Sequence, residues 1–222
     1  MYEDIRENLK RIYDEIACGN DRGEKITLLG ATKFVPVEAV NAAIEAGLEN
    51  VGENHAQEFR DKLPFYLPVK KHFIGTLQLN KLKYVVGKAD VIDSVSSATL
   101  ASAINERAEK LGVIQSVMLE INGGDEESKT GIPLSQAKDL YNAIIDLKNL
   151  KLTGVMAMLP VSDDEGFLAA AAQKVRDFYD EIRARTPTVR TLSEGMSGDY
   201  KIAVKNGSNQ IRIGTAIFGR RY

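Results

Sequence analysis

The stretch TLLGATKF, residues 27–34, runs through apolar and small residues and then reaches the amine of Lys33. An amine held among other cations in a partly desolvated setting has a lowered pKa and can attack an aldehyde to form a Schiff base. Read without chemistry, Lys33 is a lysine whose stem covers apolar surface while its head reaches water. A second candidate lies in SEGMSGDYKIAVKNG, residues 193–207. Ser197 is expected to cap the helix that follows, with Asp199 in its first turn. Gly195 and Gly198 let the backbone pass close to a ligand, and N–H groups at such a helix start suit a phosphate. The alternative is an ordinary capped helix. The third candidate is QIRIGTAIFG, residues 210–219. Alternation along a strand sends Ile211 and Ile213 one way and Arg212 the other. Gly214 and Thr215 then offer backbone donors and a hydroxyl past the strand end. A structural ion pair is the alternative for Arg212.

These groups need a scaffold to bring them together, and the apolar pattern supplies one. Ile5, Leu9, Ile12 and Ile16 recur at helical spacing within residues 3–17, so an amphipathic helix leads the chain. Strand-like runs then alternate with helical ones: KITLLGATK before PVEAVNAAIEAG, DVIDSV before SATLASAINERAEKLG, IQSVMLEIN before LSQAKDLYNAIIDL, and KLTGVMAM before GFLAAAAQKVRDFYDEIRAR. NVGEN, KHFIGTLQ, VRTLSEG and NQIRIGTAIFG complete about eight strands. Parallel strands joined by crossover helices produce this pattern. Eight units in 222 residues fit a single-domain (β/α)₈ barrel of TIM type with an extra N-terminal helix, spanning 1–222; a doubly wound sheet is the other arrangement. In a barrel, Lys33 falls at the active-site mouth. The loops after strands seven and eight form the phosphate site that barrels often place there.

Composition removes several functions. With 29 Lys+Arg against 31 Asp+Glu the net charge is −2, which gives no electrostatic reason to expect nucleic acid or an anionic membrane as partner. Cys18 is the single cysteine, so an internal disulfide is excluded; a cytoplasmic protein is expected, since the start is charged and lacks an apolar signal region. His55 and His72 are the only histidines, which argues against a His/Cys zinc site. No G-x-S-x-G elbow, P-loop or G-x-G-x-x-G follows a strand. The acidic NGGDEES, residues 122–128, lacks EF-hand spacing and reads as a solvated loop after a strand.

The order of these features resembles a known family. ATK closing the first strand, GENHAQE at 52–58, HFIGTLQLNK at 72–81 and GMSGDYKIAVKNGSNQIRIGTAIFGRR at 195–221 resemble the YggS/PROSC family of pyridoxal phosphate homeostasis proteins, across nearly the whole chain. The resemblance implies the fold of the alanine racemase barrel domain and pyridoxal 5′-phosphate (PLP) as cofactor, carried on Lys33 as an internal aldimine. It places Asn54, Ser197, Gly214 and Thr215 around the cofactor, the last three at its phosphate, with Arg212 toward the pyridine nitrogen. His55, Thr76 and Leu79 depart from the family pattern, and so does the lack of a second lysine shortly after Lys33.

The function implied is PLP binding in vitamin B6 homeostasis without robust catalysis. A protonated arginine at the ring nitrogen makes the ring a weaker electron sink than aspartate would. The alternatives are a PLP-dependent amino-acid racemase and a cofactor-free Schiff-base aldolase using Lys33. In the alanine racemase pattern the second base is a tyrosine from an additional β-domain after the barrel. This chain ends at Tyr222, seven residues past Thr215, so that domain is not expected. Expected partners are PLP and PLP-dependent apo-enzymes as recipients, for a chain acting as a monomer.

Overall fold

In the computed structural model, residues 2–124 and 130–219 are described. Asp125–Ser128 of the acidic loop, Arg220, Arg221 and Tyr222 lie outside the described residues.

Strand and helix alternate along the chain. The leading helix α1 (Glu3–Ile16) buries the four isoleucines and leucines whose spacing announced it. Then follow β1 (Thr27–Ala31), α2 (Val37–Glu45), β2 (Asn50–Glu53), α3 (Ala56–Lys62), β3 (Lys70–Phe73), α4 (Leu82–Val85), β4 (Val91–Val95), α5 (Ala98–Leu111) and β5 (Gln115–Asn122). The second half holds β6 (Ile132–Pro133), α6 (Ala137–Ile145), β7 (Leu150–Met158), α7 (Glu165–Arg185), β8 (Thr191–Ser193), α8 (Tyr200–Lys205), β9 (Gln210–Ile213) and α9 (Thr215–Phe218).

Every strand pairing is parallel, in the order β4-β3-β2-β1-β9-β8-β7-β5, and β4 pairs with β5 to close the ring. The doubly wound alternative is thereby excluded, since an open sheet has two free edges. Two features differ from the eight runs read in the sequence. A ninth strand, the two-residue β6, adds to the end of β5 outside the ring. The tail GTAIF is not all strand, because Thr215–Phe218 turns into helix α9 directly after β9.

Two apolar layers lie between ring and helices. One joins β3, β4, β5 and β7 to α3 through α7 around Phe59, Phe73, Ile104 and Tyr179. The other joins β1, β2 and β9 to α1, α2 and α9 around Leu9, Ile12, Val40, Ile211 and Ile217. The ring interior is different. Register faces Arg212 with Leu29, Glu120 with Met156, Met156 with Ser193 and Ser193 with Gln210, so these side chains all point inward. His72 and Asp93 join them, fully buried, with His72 Nδ1 2.8 Å from Asp93 Oδ1.

Candidate functional site

Lys33, Asn54, Ser197, Arg212, Gly214 and Thr215 all line one cavity of about 430 Å³ at the C-terminal end of the strands. The same lining holds Ile74, Thr76, Glu120, Thr130, Met158 and Met196.

Each element delivers its residue differently. β1 ends at Ala31, two residues before Lys33, so the lysine stands in the turn after the strand rather than on its last residue. It is exposed, and its amine makes no hydrogen bond or ion pair among the described residues. Asn54 follows the last residue of β2. Gly75 packs so closely beneath it that a Cβ there would lie 2.0 Å from the Asn54 carbonyl oxygen, which fixes the two loops against each other.

Arg212 is set deep, 5% exposed. Its Nη1 donates to the Ser193 carbonyl at 2.7 Å and to Ser193 Oγ at 2.9 Å; its Nη2 donates to the Ala157 carbonyl at 2.9 Å and to Met158 Sδ at 3.3 Å. Among the described residues nothing accepts from Nε–H. The ion pair considered for Arg212 is not what the barrel provides: carbonyls and a hydroxyl take its donors, and no carboxylate stands in salt-bridge contact among the described residues. Burial works against its charge and lowers its pKa, while Asp93, Asp199, Glu194 and Glu120 pull the other way. Beneath it the polar chain continues, from Ser193 Oγ to Gln210 Nε2 at 3.1 Å and from there to Asp93 Oδ2 at 3.4 Å.

The loop after β8 corrects one expectation. Asp199, not Ser197, occupies the N-cap position of α8, and its Oδ1 accepts from the Met196 N–H at 2.6 Å instead of from the helix. Ser197 is two residues early: φ is positive at Gly195 (94°), and Ser197 faces α9, where its Oγ accepts from the Ala216 N–H at 3.4 Å. The cap falls two residues later, at Asp199, whose φ of −133° still lies outside the helix. Ser197, Gly214 and Thr215 therefore stand together on two loops facing one another across the cavity wall.

Glu120 carries no signal in the sequence beyond its place in an apolar strand, yet it is the carboxyl of the described lining. Thr130 Oγ1 donates to it at 2.5 Å, and burial raises its pKa against the help of Thr130 and Arg212. Glu194, directly after β8, is wholly buried, and among the described residues neither carboxylate oxygen is bonded. Burial pushes its pKa up to about 8, opposed by Arg212 and Arg176. Among the described residues no group of His, Cys, Asp and Glu is placed to hold a metal ion. No helix among them is long and apolar enough to cross a membrane.

Residues 29–221 match the alanine racemase, N-terminal domain family. The pyridoxal phosphate homeostasis protein of Aquifex aeolicus (strain VF5) is 38% identical, with 97% of each chain covered. That of Escherichia coli (strain K12) is 35% identical over 98% of this chain and 97% of its own. Among solved structures, PipY of Synechococcus elongatus PCC7942 with PLP bound superposes with a TM-score of 0.84 at 28% identity, covering 97% of this chain and all of that one.

Proposed function

The chain belongs to the pyridoxal phosphate homeostasis proteins, within the alanine racemase N-terminal domain family, and from that premise we propose that it binds PLP covalently on Lys33 and holds it for transfer. One observation carries this reading: an exposed amine and a buried guanidinium Nε–H, both without a partner among the described residues, share one cavity with two loops of small and hydroxyl residues.

The donor set fits the group. Lys33 would hold the cofactor through its Nζ, giving up the two protons of the neutral amine as water is released. Ser197, Gly214 and Thr215 hold the phosphate, and Asn54 lines the cavity beside the ring. Arg212 would offer its Nε–H to the pyridine nitrogen. An arginine holds its proton, so the ring nitrogen stays an acceptor. When bound, the cofactor supplies an electrophilic carbonyl and an electron sink that this arginine keeps weak. The described lining supports carriage over racemisation. A two-base racemase needs acid/base groups on both faces of the α-carbon, each within about 3 Å of the proton it moves. No tyrosine or histidine is among the described lining residues to oppose Lys33. The cavity opens to solvent beside Lys33, which suits release of the cofactor to PLP-dependent apo-enzymes in vitamin B6 homeostasis.

The visible spectrum of freshly purified protein tests the reading. A yellow protein whose band becomes a borohydride-stable adduct on Lys33 is expected; a colourless protein that PLP does not colour overturns it in favour of cofactor-free chemistry. Deuterium wash-in with L- and D-alanine tests carriage. Lys33-dependent α-proton exchange at about 1 s⁻¹ or faster, ordinary for an enzyme, makes the protein a racemase instead.

A further inference from the structure

Phe34, directly after Lys33, is the described non-glycine residue whose backbone is left-handed, with φ 59°. A Cβ makes that conformation unfavourable, and a phenylalanine has no polar group to offset it locally. The strain belongs to a turn. The Thr32 carbonyl accepts from the Val35 N–H at 3.0 Å, which places Lys33 second and Phe34 third in a four-residue turn. Positive φ at the third position is ordinarily left to glycine or asparagine. Burial of the ring does not compensate, since Phe34 is 67% exposed.

What compensates comes from β2 and α3. Glu58 Oε1 accepts from the Phe34 N–H at 2.6 Å. Lys62 Nζ donates to the Thr32 carbonyl at 2.9 Å, and Thr32 Oγ1 donates to Glu53 Oε1 at 2.8 Å. Lys62 then ties the two carboxylates together, 2.7 Å from Glu53 and 2.7 Å from Glu58. Side-chain exposure is 1% for Glu53 and 13% for Lys62, so this is a shielded network with short, charge-assisted bonds. The residues on either side of Lys33 are pinned, and Lys33 alone in the turn is left with a free side chain.

We infer that Glu53, Glu58 and Lys62 are positioning residues: they form an ionic clamp that keeps the Thr32–Val35 turn in its strained shape and so presents Lys33 Nζ to the cavity. Backbone strain that persists only because neighbouring groups over-determine it is a mark of a site where geometry matters. The inference rests on Lys33 being the amine that bonds PLP. A network that merely fastened α3 to the barrel would have no need to reach the backbone on both sides of one exposed lysine.

The test separates capture from binding. Pyridoxine 5′-phosphate carries an alcohol in place of the aldehyde, so it fills the cavity without a covalent bond. Glu58→Ala removes the acceptor for the Phe34 N–H at a position whose side chain is 19% exposed. It should slow formation of the visible PLP band by about 100-fold, the scale of a misplacement near 1 Å, while leaving pyridoxine 5′-phosphate affinity unchanged. Glu58→Gln, whose amide oxygen still accepts that N–H, should recover most of the rate. In cofactor-free protein, the rate at which trinitrobenzenesulfonate labels Lys33, read by peptide mass spectrometry, should change in Glu58→Ala and return in Glu58→Gln. Phe34→Gly adopts the left-handed turn without strain, so Glu58→Ala should cost much less in that background. Equal rates of capture and of labelling in wild type and Glu58→Ala would overturn the clamp. So would equal slowing with and without Phe34→Gly, or a parallel loss of pyridoxine 5′-phosphate affinity. Failure of wild type to take up PLP would overturn the assignment of Lys33 instead, and the labelling rates would still decide the clamp.

Discussion

Two cations open onto the same cavity, and the barrel treats them in opposite ways. Lys33 is exposed and its side chain touches no partner among the described residues; only the backbone around it is fixed, by a turn with φ 59° at Phe34 and by Glu58 and Lys62 behind it. Arg212 is 5% exposed, and its own guanidinium is gripped by Ser193, Ala157 and Met158. A group that makes and breaks a bond must keep its side-chain freedom, so precision is placed in the main chain. A group that acts by charge and a fixed donor gains from losing that freedom, so precision is placed in the side chain.

The contrast fails first if Lys33 is not the reactive amine. Lys33→Ala should abolish the visible band and the borohydride adduct completely. Loss of an exposed, unpaired side chain should leave stability within about 0.5 kcal/mol. An adduct mapped to Lys81 or Lys201 would remove the exposed half of the comparison.

A carboxyl beside the buried half should make stability depend on pH. Glu194 is raised from 4.5 to about 8 in the folded protein, so the folded state holds a proton that the unfolded state releases. Stability should therefore be highest below about pH 4.5 for this group and fall as pH rises toward 8, by up to about 1.4 kcal/mol per pH unit. Glu194→Gln should flatten urea-denaturation stability across that window. An unchanged slope would mean the carboxyl finds water or a partner.

Arg212→Met leaves the Ser193 and Ala157 carbonyls without their donor, at a cost of about 1–3 kcal/mol. Calorimetry should show a lower melting temperature even without ligand, unlike Lys33→Ala. A melting temperature equal to that of wild type would show that Arg212 is held for the ligand alone.

The smallest effect is expected at the wall between the two cations. Ser197 is exposed, and among the described residues its hydroxyl has only the 3.4 Å contact to Ala216. Ser197→Ala should weaken PLP about tenfold, or about 1.4 kcal/mol, with stability untouched. Titration giving equal affinities for Ser197→Ala together with Thr215→Val would move the phosphate elsewhere.

Much of the scaffold was legible because parallel strands and crossover helices write strong periods. Ile211, Arg212 and Ile213 alternate as expected, with both isoleucines in the outer layer and the arginine inside. Ring closure was not written in any one segment, because the β4–β5 pairing depends on the tilt of all the others. Ser197 does not cap α8 because the non-helical backbone runs on to Asp199 (φ −133°), a length the residue types do not mark. The clamp escaped entirely. Glu58 and Lys62 stand at i, i+4 on α3, and only the fold turns that face toward the Lys33 turn. Glu120 was hidden in an apolar strand, and the His72–Asp93 pair joins two different strands, β3 and β4, so no single segment shows it.

The seam between β1 and β9 has a consequence for assembly. Thr27–Gly30 pairs with Gln210–Ile213, and α1 donates from Asn8 Nδ2 to the Ile217 carbonyl of α9. These contacts join segments from opposite ends of the sequence, so their closure entropy is met late, after the intervening units have formed. Lys33 lies on one side of that seam and Gly214 and Thr215 on the other. On a ribosome the cavity cannot exist until β9 has emerged. A ligand gripped from both sides would then act as a latch across the last joint to close. By mass action it would raise the free energy of opening there, so that proteolysis and hydrogen exchange at β1 and β9 report occupancy before any other part of the barrel.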